Sequence, residues 1–247
     1  MSAIAQSAMV EFRDVSYRIG SKQILSHLDL AVEAGETLVL LGRSGSGKTT
    51  ALKMVNGLVL PTEGQVLVEG KATTEWDLVR LRRRIGYVIQ EVGLFPHFTV
   101  ARNIGLVPRL DAWPPEKIER RTVELLSMLD LPPKQYLHRY PRELSGGQRQ
   151  RVGVARALAA DPPVLLFDEP FGALDPVTRH EIQQQFLRIS QTLHKTSIFV
   201  THDAREAMLL ATRIALLREG RLETLETPAG FIQAECQEAQ AFRACLA

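Results

Sequence analysis

Cysteine is nearly absent from this 247-residue chain, with Cys236 and Cys245 as its only two. If the tail that carries them is helical, nine steps of about 100° put them on opposite faces and about 13 Å apart along the axis, too far to bridge each other. No metal-ligand spacing surrounds either one, so both read as incidental reduced thiols. An excess of charge is missing too. Thirty Lys and Arg stand against 28 Asp and Glu, a formal charge of +2 that is too balanced to point to nucleic acid. No stretch approaches the roughly 18 uninterrupted apolar residues that a membrane-spanning helix needs. The opening MSAIAQSAMVEF lacks the basic start and long apolar core of a secretion signal, so the expected location is cytoplasmic. Repeats and low-complexity tracts are absent, and 45% hydrophobic with 23% charged residues suit an ordinary folded core. The one basic cluster, Arg80-Leu81-Arg82-Arg83-Arg84, reads as a solvated face beside a buried strand.

What is present is an ordered series of elements. Val10 to Tyr17 and Ile24 to Val32 alternate and are separated by Gly20-Ser21, which predicts antiparallel strands. Glu36 to Leu41 carries a continuous apolar run that meets glycines and then a helix starting near Lys48, the opening of a parallel α/β sheet. Further buried strands are expected at Ile85 to Ile89, Val164 to Phe167, Ser197 to Thr201 and Ile214 to Leu217. The first three are followed by Gln90, Asp168 and His202, at the carboxyl edge where open α/β sheets place ligands. Between Gln90 and Val164 the pattern turns helical, with Ile118, Thr122, Leu125, Leu126 and Leu129 at helical spacing after Pro114-Pro115. A second amphipathic helix carries Ile182, Phe186, Ile189 and Leu193 on one side. The expected organisation is one domain over residues 9–230, with a helical subdomain at 91–160, and a short tail at 231–247.

Chemistry concentrates in a few places. Gly42-Arg43-Ser44-Gly45-Ser46-Gly47-Lys48-Thr49 matches GxxxxGK[ST] between a strand and a helix, and Thr50 follows it in the helix start. Glycines there let successive N–H groups point at β-phosphate oxygens, and the helix N-terminus adds positive potential. Lys48 is expected on the β- and γ-phosphates of ATP, and the Thr49 hydroxyl on Mg²⁺. Asp168, ending an apolar strand, suits the same metal ion through its waters. Glu169 is placed to polarise the attacking water. Gln90 can reach the metal or that water, and His202, followed by a D-x-x-E spacing from Asp203 to Glu206 that resembles a capping box, suits a contact with the γ-phosphate. Tyr17 could stack on adenine or pack in the core.

A second glycine-rich helix start stands in Leu144-Ser145-Gly146-Gly147-Gln148, where Ser145 and Gln148 have capping-box spacing. Its two glycines leave the N–H groups of the helix start uncovered as another anion site, yet no lysine or metal ligand accompanies it. Such a site can complete a phosphate pocket but cannot hold one alone. The economical solution is a two-fold dimer, in which this helix start from one copy closes over the γ-phosphate held by the other. Asp175, just beyond Glu169, would lie near that interface.

With Gly42 to Thr49, Gln90, Leu144 to Gln148, Val164 to Glu169, Ala173 to Asp175 and His202 in order, residues 9 to 230 resemble the ATP-binding subunit of ABC transporters. The resemblance implies a P-loop NTPase (RecA-like) α/β core with an antiparallel β-subdomain and an inserted helical subdomain. It also implies the ATP-dependent homodimer and a groove near Gln90 that grips transmembrane permease subunits. Ile85 to His97, Asn103 to Leu110 and Leu193 to Thr196 look like the ATPases of osmoprotectant importers, which take up glycine betaine, choline or carnitine with the help of a solute-binding protein. Many of that group continue into a paired regulatory module, whereas this sequence stops at Ala247, so osmotic sensing by such a module is not expected. Two alternatives compete: an importer ATPase for another small solute, such as an amino acid or a sulfonate, and a soluble ABC-type ATPase acting on DNA or the ribosome. The second is disfavoured by near-neutral charge and by the lack of a long coiled coil or a second cassette.

Overall fold

The structure, a computed structural model, describes residues 8–90 and 93–246. The first seven residues, Glu91, Val92 and Ala247, read above as parts of longer segments, lie outside the described residues. In chain order the elements are β1 (Val10–Ile19), β2 (Lys22–Val32), β3 (Thr37–Leu41), α1 (Lys48–Val55), β4 (Glu63–Val68), β5 (Lys71–Ala72), α2 (Leu78–Arg83), β6 (Ile85–Val88), α3 (Val100–Ile104), α4 (Leu106–Leu110), α5 (Pro115–Met128), α6 (Pro133–Tyr136), α7 (Gly146–Leu158), β7 (Val164–Asp168), α8 (Pro176–Leu193), β8 (Thr196–Thr201), α9 (Ala204–Leu210), β9 (Arg213–Arg218), β10 (Arg221–Glu226), α10 (Pro228–Gln233) and α11 (Gln237–Ala244). They fall into two compact units, one built from the chain up to Arg82 and from Lys195 onward, the other from Arg83–His194.

In the first unit, β1 and β2 form the expected hairpin about Gly20-Ser21, and β4 and β5 extend it into an antiparallel sheet of order β2-β1-β4-β5. The second sheet of this unit has β3 in parallel between β8 and β9, with β10 antiparallel beyond β9. All five residues of β3 are buried, which is why Leu38 to Leu41 form an unbroken apolar run instead of an alternating one. An ion pair between Glu36 and Arg213, at 2.5 Å, ties the entrance of β3 to β9, and the same guanidinium donates to the Ala31 carbonyl at 2.6 Å.

The basic cluster is the solvated face that its composition suggested, with Arg80, Arg82 and Arg84 exposed and Arg83 half-buried. It forms α2 and the turn after it, where Leu81 is buried. Arg82 donates to the carbonyls of Asn56 and Gly57, which close the C-terminus of α1, and Arg83 donates to the Leu110 carbonyl and to Asp111. Half of the cluster therefore satisfies backbone oxygens that helix ends leave without partners.

In the second unit, β6 and β7 run parallel, with Ile85 opposite Val164 and Val88 opposite Phe167. Helix α7 packs on β6 so closely that a Cβ on Gly86 would lie 2.5 Å from the Ala157 carbonyl oxygen. The predicted amphipathic helices are α5, which buries Ile118, Thr122, Leu125 and Leu126, and α8, which buries Ile182, Phe186 and Ile189. Asn103, fully buried on α3, organises the segment after Gln90. Its Oδ1 accepts from the Phe95 N–H, and its Nδ2 donates to the carbonyls of Phe95, Phe98 and Thr99.

Candidate nucleotide site

The loop Gly42–Gly47 leaves β3 and turns directly into α1. Three of its glycines carry positive φ, and two of them have no room for a side chain. A Cβ on Gly42 would lie 2.3 Å from the Leu217 carbonyl oxygen, and one on Gly47, at φ 98, would lie 2.6 Å from Leu25 Cδ2. Lys48 is buried. Its ammonium donates to the carbonyls of Gly42 at 2.7 Å and Arg43 at 2.8 Å, so the cation is held at the mouth of the loop by the loop's own backbone. Ser46 is buried in the turn, its N–H donating to the Arg43 carbonyl, while Arg43, Ser44 and Gly45 are exposed and Thr49 and Thr50 half-buried.

His202 and Tyr17 belong to the same unit. β3 and β8 are in register through Leu41 opposite Thr201, so Gly42 and His202 leave adjacent strands at the same level. Tyr17 lies within β1, half-buried, opposite Leu25, whose side chain is the one packed against Gly47. The capping box expected after His202 is only half formed. Asp203 caps α9 by accepting from the Arg205 N–H, but Glu206 does not reach back. Its carboxylate accepts from the Thr201 hydroxyl at 2.6 Å, and Thr201 Oγ1 also takes the Asp203 N–H. Thr201 occupies the place through which a reciprocal cap would form.

The second unit carries the carboxylates. β7 ends at Asp168, and β6 ends at Val88, one residue short of the expected Ile89, which is partly exposed next to the exposed Gln90. Asp168 Oδ2 accepts from the Tyr87 hydroxyl at 3.3 Å. Burial, and then the Asp168 charge, push the Tyr87 phenol pKa up, so it stays a donor throughout the neutral range. Glu169 has a φ of 45°, a left-handed conformation that costs a non-glycine residue energy and turns its side chain out of the strand alternation. The Gln90 Nε2 and Glu169 Oε2 atoms both come within 4 Å of the point that a Cβ on Gly172 would occupy. Gly172 thus lies close to both candidate water-positioning groups.

The second glycine-rich start has the geometry that its spacing predicts. Ser145 Oγ accepts from the Gln148 N–H at 3.2 Å, and Gln148 Oε1 accepts from the Ser145 N–H at 2.9 Å. The two glycines, however, do different things. Gly146 is exposed and open, whereas Gly147 is buried, and a Cβ there would lie 2.4 Å from Thr178 Cγ2 on α8. Only Gly146 keeps the helix start uncovered; Gly147 lets two helices approach. Asp175 caps α8, its Oδ1 accepting from the Thr178 N–H at 3.0 Å, an interaction that holds its carboxyl below the usual carboxylate range. Sequence reasoning missed Tyr87, because an aromatic in the middle of a strand signals core packing and nothing more.

Comparison with known proteins places the chain among ATP-binding subunits of transporters by similarity. The chain is 52% identical to the glycine betaine/carnitine/choline transport ATP-binding protein of Bacillus subtilis, over 85% of this chain and 55% of that one. It is 49% identical to the glycine betaine uptake system ATP-binding protein of Escherichia coli, over 87% of this chain and 69% of that one. The chain spans a little over half the length of the Bacillus relative. A solved ATP-binding cassette, dimeric in a post-hydrolysis state with ADP and Pi, superposes with a TM-score of 0.79 at 35% identity, covering 89% of this chain and 99% of its own. The fold is thus the ATP-binding cassette, an α/β architecture with an antiparallel sheet and a mainly parallel one. Residues 25–172 match the sequence pattern of the ABC transporter family, and the chain belongs to that family.

Proposed function

We propose that this chain binds and hydrolyses ATP as the paired, membrane-peripheral subunit of an importer, beneath separate permease subunits on the inner face of the cell membrane. The cargo is a quaternary-amine osmoprotectant such as glycine betaine, choline or carnitine, delivered by a solute-binding protein. The carrying observation is the Lys48 ammonium, held by two carbonyls at the mouth of a glycine loop that opens a helix. A buried cation held by the carbonyls of that loop is placed to meet a triphosphate.

In this reading the N–H groups of the loop from Arg43 to Thr50 cradle the phosphates, and Tyr17 stacks on the adenine. His202 contacts the γ-phosphate from the neighbouring strand end, and Glu169 takes the proton of the attacking water that Gln90 orients. The available donors for a metal ion are the Thr49 hydroxyl, the Asp168 carboxylate and the Gln90 amide oxygen, hard oxygens that suit Mg²⁺. Among the described residues no three His, Cys, Asp or Glu side chains gather to hold a metal. When bound, Mg²⁺ supplies positive charge to the β- and γ-phosphate oxygens. Ser145, Gly146, Gly147 and Gln148 of one copy close over the nucleotide held by the other, which the open face at Gly146 supports.

The test is transport in proteoliposomes that contain this chain with its permease, supplied with the solute-binding protein. ATP-driven uptake of labelled glycine betaine, choline or carnitine, abolished by Lys48→Ala, is expected. ATP hydrolysis and uptake that respond to sulfate or an amino acid and ignore all three amines would overturn the cargo assignment.

A further inference from the structure

The tail beyond β10 is not an idle extension of its unit. Helix α11 buries only two residues, Ala239 and Glu238. A helix with so little apolar surface owes its docking to something else, and the carboxylate is the candidate. Glu238 Oε1 lies 2.6 Å from Arg43 Nε, with the Glu238 side chain only 7% exposed and the Arg43 side chain 71% exposed. Arg43 is a residue of the phosphate loop. Its carbonyl accepts from Lys48 Nζ at 2.8 Å and from the Ser46 N–H at 3.2 Å, so its backbone and its side chain pull on two different parts of the unit. An open pocket of about 390 Å³ lies between residues 43–46 and the Gln237, Glu238 and Ala241 face of α11. Neither Lys48 nor Thr49 lines it, so it is the outer flank of the cradle, bridged by this ion pair.

A buried carboxylate tolerates its burial only while its partner is in place. Losing Arg43 leaves Glu238 uncompensated and favours undocking of α11. Losing the Glu238 charge releases the one side chain that fixes the outer edge of the loop, so that more conformational freedom must be given up when the loop closes on phosphates. We infer that Glu238 is a positioning residue for the phosphate loop, and that docking of α11 and binding of nucleotide are coupled through its pairing with Arg43. The inference rests on the nucleotide site proposed above. By linkage the coupling runs both ways: ordering the loop with nucleotide also strengthens the docking of α11.

A double-mutant cycle on the full chain tests it. The affinity for a fluorescent ATP analogue with Mg²⁺, together with hydrogen exchange of residues 237–244, is measured for wild type, Glu238→Gln, Arg43→Gln and the double variant. Each single change is expected to weaken binding by about fivefold, the low end of typical couplings because Arg43 is exposed. The double variant should bind no worse than either single one, since the pair acts as a unit. Nucleotide should slow the exchange of α11 in wild type and leave it unchanged in the three variants, a response that a merely stabilising tail contact would not give. Wild-type binding with four equal affinities, or single effects that multiply in the double variant, overturns the inference alone. A wild-type chain that binds no nucleotide overturns the functional reading, and the coupling with it.

Discussion

The Tyr87 hydroxyl on β6 donates to Asp168 Oδ2 at the end of β7, at 3.3 Å, across a parallel pair in which Tyr87 is level with Leu166. The phenol donates to one oxygen of the carboxylate that is proposed above to face the metal hydration shell. Tyr87→Phe keeps the ring and removes the donor. It is expected to raise the Mg²⁺ concentration needed for half-maximal nucleotide binding about three- to tenfold, with little change in melting temperature. Titration of Mg²⁺ against a fluorescent nucleotide checks the first, and a thermal melt the second.

Lys48→Ala removes the only side-chain cation inside the phosphate loop that already hydrogen-bonds the loop carbonyls. Nucleotide affinity should fall by at least about tenfold, because a charge-assisted contact to phosphate is lost in a buried setting. Equilibrium binding with Mg²⁺ measures it.

Gly146→Ala and Gly147→Ala should separate two roles that the sequence merges. A methyl at 147 would overlap Thr178 on α8, so that variant should lose about 1–3 kcal/mol of folding stability. At 146 the nearest atom is Leu174 Cδ2 at 3.9 Å, and thermal stability should stay within about 0.5 kcal/mol of wild type. Denaturant titration of the two variants decides.

Asp175 contributes to stability through the α8 cap, and its carboxyl is held below its ordinary value mainly by the hydrogen bond from the Thr178 backbone. A depressed carboxylate stabilises above the unfolded-state pKa and loses that contribution as pH falls through the folded one. Asp175→Asn keeps a cap acceptor but cannot titrate, so the loss of thermal stability between about pH 5 and pH 3 should be smaller in the variant. Melting curves across that range provide the comparison.

Much of the site was legible because its signals are local. GxxxxGK[ST] after the buried Thr37–Leu41 strand fixes a loop whose glycine conformations are set within six residues, and Ser145 with Gln148 specifies a cap within four. The ends of β7 and β8 followed from apolar runs that stop at a charged or ring side chain. What stayed hidden depends on distant partners. β4 reads EGQVLV, exposed in its first half and buried in its second, and is a strand because β1 pairs with it. Gly147 looks like Gly146 until Thr178, 31 positions later, fills the space beside it. Arg43 and Glu238 are separated by 195 positions, and no spacing rule connects a loop arginine to a glutamate in a helical tail. Glu206 has the spacing of a capping box and is diverted by Thr201, a competition between side chains that pattern alone does not rank.

In the proposed dimer, the helix start of one copy finishes the pocket that the other copy fills. Glu169→Gln removes the proposed proton acceptor while keeping side-chain size, so nucleotide should persist unhydrolysed. Light scattering of this variant with Mg²⁺–ATP should show twice the monomer mass, reverting to monomer when Lys48→Ala is added. A Glu169→Gln chain that is saturated with ATP and remains monomeric, with or without its permease, would contradict the shared-site arrangement.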